Sequence, residues 1–139
     1  MSRENVESIR TVYERFSEGD FRASVDLLDP HVVLVLNPEF APSLFTAAHE
    51  GALYGIEAIA AYTRDLLDAW PDYTMEAEEI AAVGDDVLVG VCHRGVGRSS
   101  GVPTEGRYFT LWSFRGTKVI RIESFGQRAE ALEAAGLRE

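Results

Sequence analysis

Val6, Ile9, Val12, Tyr13 and Phe16 recur at helical spacing, which predicts an amphipathic first helix with Ser2 as N-cap and Gly19 as its stop. Asp20 can cap a second, short helix in which Phe21, Val25 and Leu28 share a face and which Pro30 ends. The run Val32-Val33-Leu34-Val35-Leu36 is aliphatic at both parities, as in a strand covered on both faces. From Asn37 to Tyr54, Pro38, Pro42 and Gly51 make a loop long for a compact domain, of the kind that often forms a lid or pocket wall. After Gly55, the stripe Ile56, Ile59, Ala60, Thr63, Leu67 and Trp70 predicts a third helix, terminated by Pro71.

The second half changes period. Residues 73–82, 87–96, 107–114 and 118–125 read as strands, joined through Gly84-Asp85-Asp86, Ser99-Ser100-Gly101 and Gly116-Thr117 as hairpin turns. Residues 127–135 return to a helical pattern, with Gly136 behind. Helices first and an antiparallel meander afterwards predict an α+β fold with the helices on one face of the sheet. A twisted antiparallel sheet curls, and a few helices on its concave side leave a cone-shaped pocket open at one end. The outer face also needs cover, so a homodimer through that face is expected.

With 139 residues, the chain is expected to form a single domain over 1–139, since either half would bury too little core. Its composition, 46% hydrophobic and 26% charged, is that of a globular protein. No apolar run approaches the ~20 residues of a membrane span. The opening Met1-Ser2-Arg3-Glu4-Asn5 leads into an amphipathic pattern, so no signal peptide and a cytoplasmic location are expected. A net charge of −10 without a Lys/Arg cluster argues against nucleic-acid binding. Cys92 is the one cysteine; in a strand-like run it reads as a small buried hydrophobe.

Several motifs fail on inspection. Gly95-Val96-Gly97-Arg98-Ser99-Ser100-Gly101 has the wrong spacing for a dinucleotide loop and joins two strands. His49-Glu50 lacks the second histidine of a zincin, and three scattered histidines with one cysteine predict no metal site and no cofactor. No serine stands in a nucleophile elbow.

The order of elements, with Glu18-Gly19-Asp20-Phe21, Tyr54-Gly55, Gly84-Asp85, His93-Arg94-Gly95, Gly101-Val102-Pro103-Thr104-Glu105-Gly106-Arg107 and residues 128–136, resembles the nuclear transport factor 2-like superfamily. Within it, the chain is most similar to the SnoaL-like group, which includes polyketide cyclases. The resemblance implies a cystatin-like α+β fold and a pocket for a small molecule. It hosts isomerases, cyclases, dehydratases, epoxide hydrolases and non-catalytic binders, so it does not by itself choose among them. Ketosteroid isomerases of this fold use a first-helix tyrosine and two acids; the matching positions here read Val12, Leu36 or Asn37, and Thr110. Cyclases carry an acid on or after the last strand, where this chain has Ser124-Phe125-Gly126-Gln127, with Glu123 pointing the other way.

Alternation puts Tyr108, Thr110, Trp112 and Phe114 on one face, which the resemblance makes the cavity face. With the preceding hairpin centred near Gly101, Gly90, Cys92 and Arg94 share that face while Val89, Val91 and His93 point outward; a one-residue slip reverses this. Arg94 could then bind a carboxylate or polarised carbonyl, or simply pair with an acid. Glu39 and His93 are the candidate general bases, against the blander readings of a solvated loop glutamate and a surface histidine. Glu39 is the acid best placed to reach the cavity mouth, Asn37 is a candidate pocket residue, and Tyr108 and Trp112 could stack on a flat ligand or fill core. Two functions follow. One is a cofactor-independent cyclase, isomerase or hydratase acting by acid/base chemistry on a small apolar carbonyl compound, with Tyr108 or Arg94 as stabiliser. The other is a binding protein for a hydrophobic metabolite.

Overall fold

The computed structural model describes residues 2–36, 51–96, 101 and 103–137. The elements run α1 (Ser2–Ser17), β1 (Leu28–Leu36), β2 (Gly51–Tyr54), α2 (Ile56–Ala69), β3 (Thr74–Val83), β4 (Asp86–Val96), β5 (Pro103–Arg115), β6 (Lys118–Phe125) and α3 (Arg128–Leu137). The strands form a six-stranded sheet in the order β2-β1-β6-β5-β4-β3. The sheet is curved and does not close on itself. β3 to β6 are the expected antiparallel meander, whereas β1 joins β6 in parallel.

The helical stripe of α1 ends where Gly19 takes a φ of 91°. Gly19 N–H donates to Phe16 O and Asp20 N–H to Arg15 O, both at 3.0 Å, which satisfies the last carbonyls of the helix in a Schellman arrangement. The second helix expected after Asp20 does not form. Residues 21–24 are turns, and the only helical piece is a 3-10 turn over Val25–Leu27. Pro30, expected to end that helix, lies inside β1. It is tolerated because the β1–β6 ladder is irregular between Leu28 and Val33, so no bond is asked of its missing N–H. The long stretch expected as loop ends in β2, which pairs antiparallel with the outer side of β1.

Two buried clusters lie on opposite faces of the sheet. The larger brings Ile9, Val12, Tyr13 and Phe16 of α1 against Val87, Val89 and Val91 of β4 and Tyr108 and Trp112 of β5, with Ile56 and Ile59 of α2 packed alongside. The smaller joins Leu88 and Leu111 to Ala131 and Ala135 of α3. Alternation along β4 and β5 explains both, because neighbouring residues face opposite sides. The placement of all helices on the concave face is therefore corrected: α3 covers part of the outer face, where alanines let it approach closely. A bulge between Ala77 and Glu79 lets Glu76, Glu78 and Glu79 all point outward before Ile80 turns back to the core. No helix of the described residues is long and apolar enough to cross a membrane.

Candidate functional site

The concave face holds a cavity of about 450 Å³, within the range of small-molecule sites. Its wall is mostly apolar: Phe16, Leu34, Ile59, Leu66 and Ile122 are typical members. Polarity enters through hydroxyls, those of Tyr13, Ser24, Tyr62, Thr63, Tyr73, Tyr108, Thr110 and Ser124, and through the Trp112 indole. The charged residues that line it, Asp20, Arg22 and Arg64, stand at its more exposed rim. There Asp20 is engaged by Arg15 at 3.4 Å and by the Arg22 backbone N–H at 3.3 Å.

The polar groups fall into two sets. At one end, Trp112 Nε1–H donates to the Tyr13 hydroxyl at 3.1 Å. The Tyr13 and Trp112 rings meet edge to face at 6.0 Å. Burial pushes the Tyr13 hydroxyl far above its ordinary pKa, and the Trp112 donor offsets only part of that. Tyr13 therefore stays protonated, with the Trp112 indole N–H donating to its oxygen. Thr110 also faces Ser124 across the strands at 3.5 Å.

At the other end, the Tyr73 hydroxyl lies 2.7 Å from His93 Nδ1, and the Tyr108 hydroxyl donates to Met75 Sδ at 3.9 Å. The His93 ring packs edge-on against Tyr108 at 4.7 Å. His93 is 0% exposed. Burial holds its pKa down to about 4, so the imidazole is neutral at physiological pH. Burial likewise raises Tyr73 and Tyr108 well above the usual tyrosine value.

Tyr108, Thr110 and Trp112 thus line the cavity, as their alternation predicts. The assignment of β4 is reversed. Val91 pairs with Tyr108 and His93 with Gly106, a register that a hairpin centred on Gly101 would not give. His93 points inward, behind Tyr73 and Tyr108, and does not itself line the cavity. Arg94 points outward, its Nη1 2.7 Å from Glu76 and its Nε 2.8 Å from Glu105, both of which raise its pKa. Its expected role at a ligand carbonyl is thereby overturned. Cys92 shares the outer face, its thiol raised chiefly by burial and 3.5 Å from Glu105. Asn37 and Glu39 lie outside the described residues.

Sequence reasoning missed Tyr13, Tyr62 and Tyr73 as site residues. Tyr13 was legible only as a member of the apolar stripe of α1, one position from Val12, where the family tyrosine is expected. Nothing in the stripe itself says that its hydroxyl reaches a cavity. Among the described residues no group of three His, Cys, Asp or Glu could hold a metal ion.

No curated protein matches the sequence. Solved structures do resemble it in fold. A nuclear transport factor 2-like protein of unknown function from Burkholderia pseudomallei superposes with a TM-score of 0.74 at 19% identity, over 93% of this chain and 95% of that one. A protein named as a SnoaL-like polyketide cyclase, from Jannaschia sp. CCS1, gives 0.71 at 19% identity over 96% and 92%. An uncharacterised cystatin-fold protein from Novosphingobium aromaticivorans gives 0.69 at 18% over 90% and 98%. At these identities the likeness establishes the fold. The sequence itself matches the SnoaL-like domain over residues 9–124, and the chain belongs to the SnoaL-like family.

Proposed function

We propose that the protein is a cofactor-independent acid/base catalyst of the cyclase or isomerase kind, acting on a small, largely apolar carbonyl compound held in the cavity. The observation that carries this reading is the Tyr13 hydroxyl, held by the Trp112 indole at 3.1 Å in a largely apolar cavity wall. Such a donor is fixed before the ligand arrives. As a carbonyl oxygen becomes an enolate oxygen its charge grows, and a preorganised donor in a low-dielectric site then binds it more strongly than the ground state. Glu39, just beyond the β1 strand whose Leu34 lines the cavity, is the proposed base. His93 is set back from the cavity, and its proposed role is indirect.

A second reading is a binding protein that holds such a compound without transforming it. It is favoured by the described lining: Asp20, at the rim, is the one carboxylate among those residues. One experiment separates the two. 2-Tetralone in heavy water, followed by proton NMR, reports exchange of its α-protons, the elementary step of enolisation. The catalyst accelerates that exchange, and Tyr13→Phe lowers the acceleration about 10²–10³-fold, the range for loss of one oxyanion donor. Saturable binding of 2-tetralone with exchange no faster than in buffer would establish the binding protein instead.

A further inference from the structure

We propose that the mouth of the cavity is a carboxylate site, where Arg22 and Arg64 hold the acid group of a ligand whose apolar body fills the cavity. The substrate class then narrows to an apolar keto acid, and the two arginines are its specificity-determining residues. This rests on the reading of the cavity as a site for an apolar carbonyl compound, and adds a charged contact at its open end.

Charge at the mouth runs against that of the molecule. The chain has 23 acidic and 13 basic residues. Among the described residues that line the cavity, however, Arg22 and Arg64 are cationic and Asp20 alone is acidic. Asp20 is already engaged, by Arg15 at 3.4 Å and by the Arg22 backbone N–H at 3.3 Å. Other arginines are held by the protein's own acids. Arg94, Arg107 and Arg128 pair with glutamates of the outer face at 2.7–3.0 Å, and Arg121 pairs with Glu123 at 3.1 Å. Among the described residues, neither the Arg22 nor the Arg64 guanidinium has a carboxylate partner. A protein with so many acids leaves these two cations for something else to neutralise.

Two elements bring them to one opening. Arg22 lies in the turn that follows α1, and Arg64 on α2. Phe21, the neighbour of Arg22, packs with Leu66 and Leu67, which fastens the turn to the helix that carries Arg64. Both arginines are exposed, whereas Phe16 and Leu66 of the same wall are buried. Ser24 adds an uncharged donor. It lines the cavity and stands at the N-cap of the 3-10 turn, yet its side chain makes no capping bond. An amphipathic acid meets what each of its halves needs. Its body exchanges water for the apolar wall. Its carboxylate stays at the opening, keeps part of its hydration and gains the planar fork of a guanidinium. A carboxylate drawn further in would lose its water with no cation to replace it, and an organic cation would meet two like charges at the entrance. The acid therefore faces outward and the ketone inward, toward the buried Tyr13 hydroxyl.

Titration calorimetry tests this with 2-tetralones that carry a 6-carboxy, 6-carboxymethyl or 6-(2-carboxyethyl) group, each compared with its carboxamide. The series sets the acid at increasing reach from the ring. The wild type should bind the best acid about tenfold more tightly than its amide, the worth of a charge-assisted hydrogen bond. That preference should shrink from ~0.01 M to ~1 M salt, over which the Debye length falls from ~30 Å to ~3 Å. Arg22→Gln and Arg64→Gln together should abolish it and leave the affinity for 2-tetralone unchanged. An acid bound no more tightly than its amide at any reach would overturn the proposal. So would a folded double variant that keeps the preference. Should the double variant not fold, the acid–amide ratio of the wild type and its salt dependence decide the matter. Tetralin bearing the same acid groups is the ketone-free control. If it binds as tightly as the keto acids, the carboxylate site stands and the carbonyl reading of the cavity falls.

Discussion

His93 carries a consequence for stability that follows from its burial alone. An unfolded histidine titrates near 6.5, whereas the folded one is held down to about 4. Between those values the unfolded chain binds a proton that the folded chain refuses, so stability falls as pH drops through the window. Across the whole window the loss is on the order of 3 kcal/mol, at ~1.4 kcal/mol per pH unit. Glu79 and Glu105, lowered by hydrogen bonds from Arg128 and Arg94, lose their contribution only at lower pH, below the ordinary carboxylate range. Urea unfolding at pH 7 and pH 5 should therefore show a clear drop for the wild type and a flatter response for His93→Phe. A wild type equally stable at both values would mean that His93 is not held neutral. Arg94 shows the converse at this scale. Its ion pairs with Glu76 and Glu105 are exposed, so they fix its direction without adding much stability.

At the scale of elements, the start of α2 governs one wall of the cavity. Gly55 takes φ 90° and ψ 162°, a region that residues with a Cβ almost never occupy. Its N–H donates to Val32 O at 2.8 Å, tying the helix to β1. Ile56, Ile59, Tyr62, Thr63 and Leu66 follow from that anchor into the cavity wall. Gly55→Ala should cost about 1–3 kcal/mol in denaturant unfolding and weaken 2-tetralone binding, because the wall shifts with the strained turn. An unchanged unfolding free energy would show that the helix is anchored elsewhere. The meander itself was legible because its strand runs are separated by turns that carry glycines at φ near 60°, Gly84 and Gly116 among them. The helix expected after Asp20 failed because its three apolar residues are too few to pay for a turn-by-turn helix once Gly19 has broken the chain direction.

For the whole molecule, charge is arranged by face. The concave side is apolar with a few hydroxyls, while the outer side carries the pairs Glu76–Arg94, Arg94–Glu105, Glu78–Arg107 and Glu79–Arg128 at 2.7–3.0 Å. The large hydrophobic residue most exposed among those described is Tyr54, at 72%, on the edge strand. The homodimer expected through the outer face would thus be held largely by polar contacts, which salt screens. Light scattering at micromolar concentration should give twice the chain mass in dilute buffer and less in molar salt. One chain mass in dilute buffer would set the dimer aside.

The sequence by itself determined the class of fold, four of the strands within a few residues, and the face of β5 that lines the cavity. Period-2 alternation, helical stripes and turn glycines are local signals, and they need no distant partner to be read. It left the faces of β4 undecided, because a hairpin register depends on where the turn is centred, and one residue exchanges His93 with Arg94. It could not place Tyr13, whose hydroxyl gains its meaning only from Trp112, 99 residues away. The pairing of Tyr73 with His93 is likewise visible only in the folded sheet, which brings the residue just before β3 against the middle of β4.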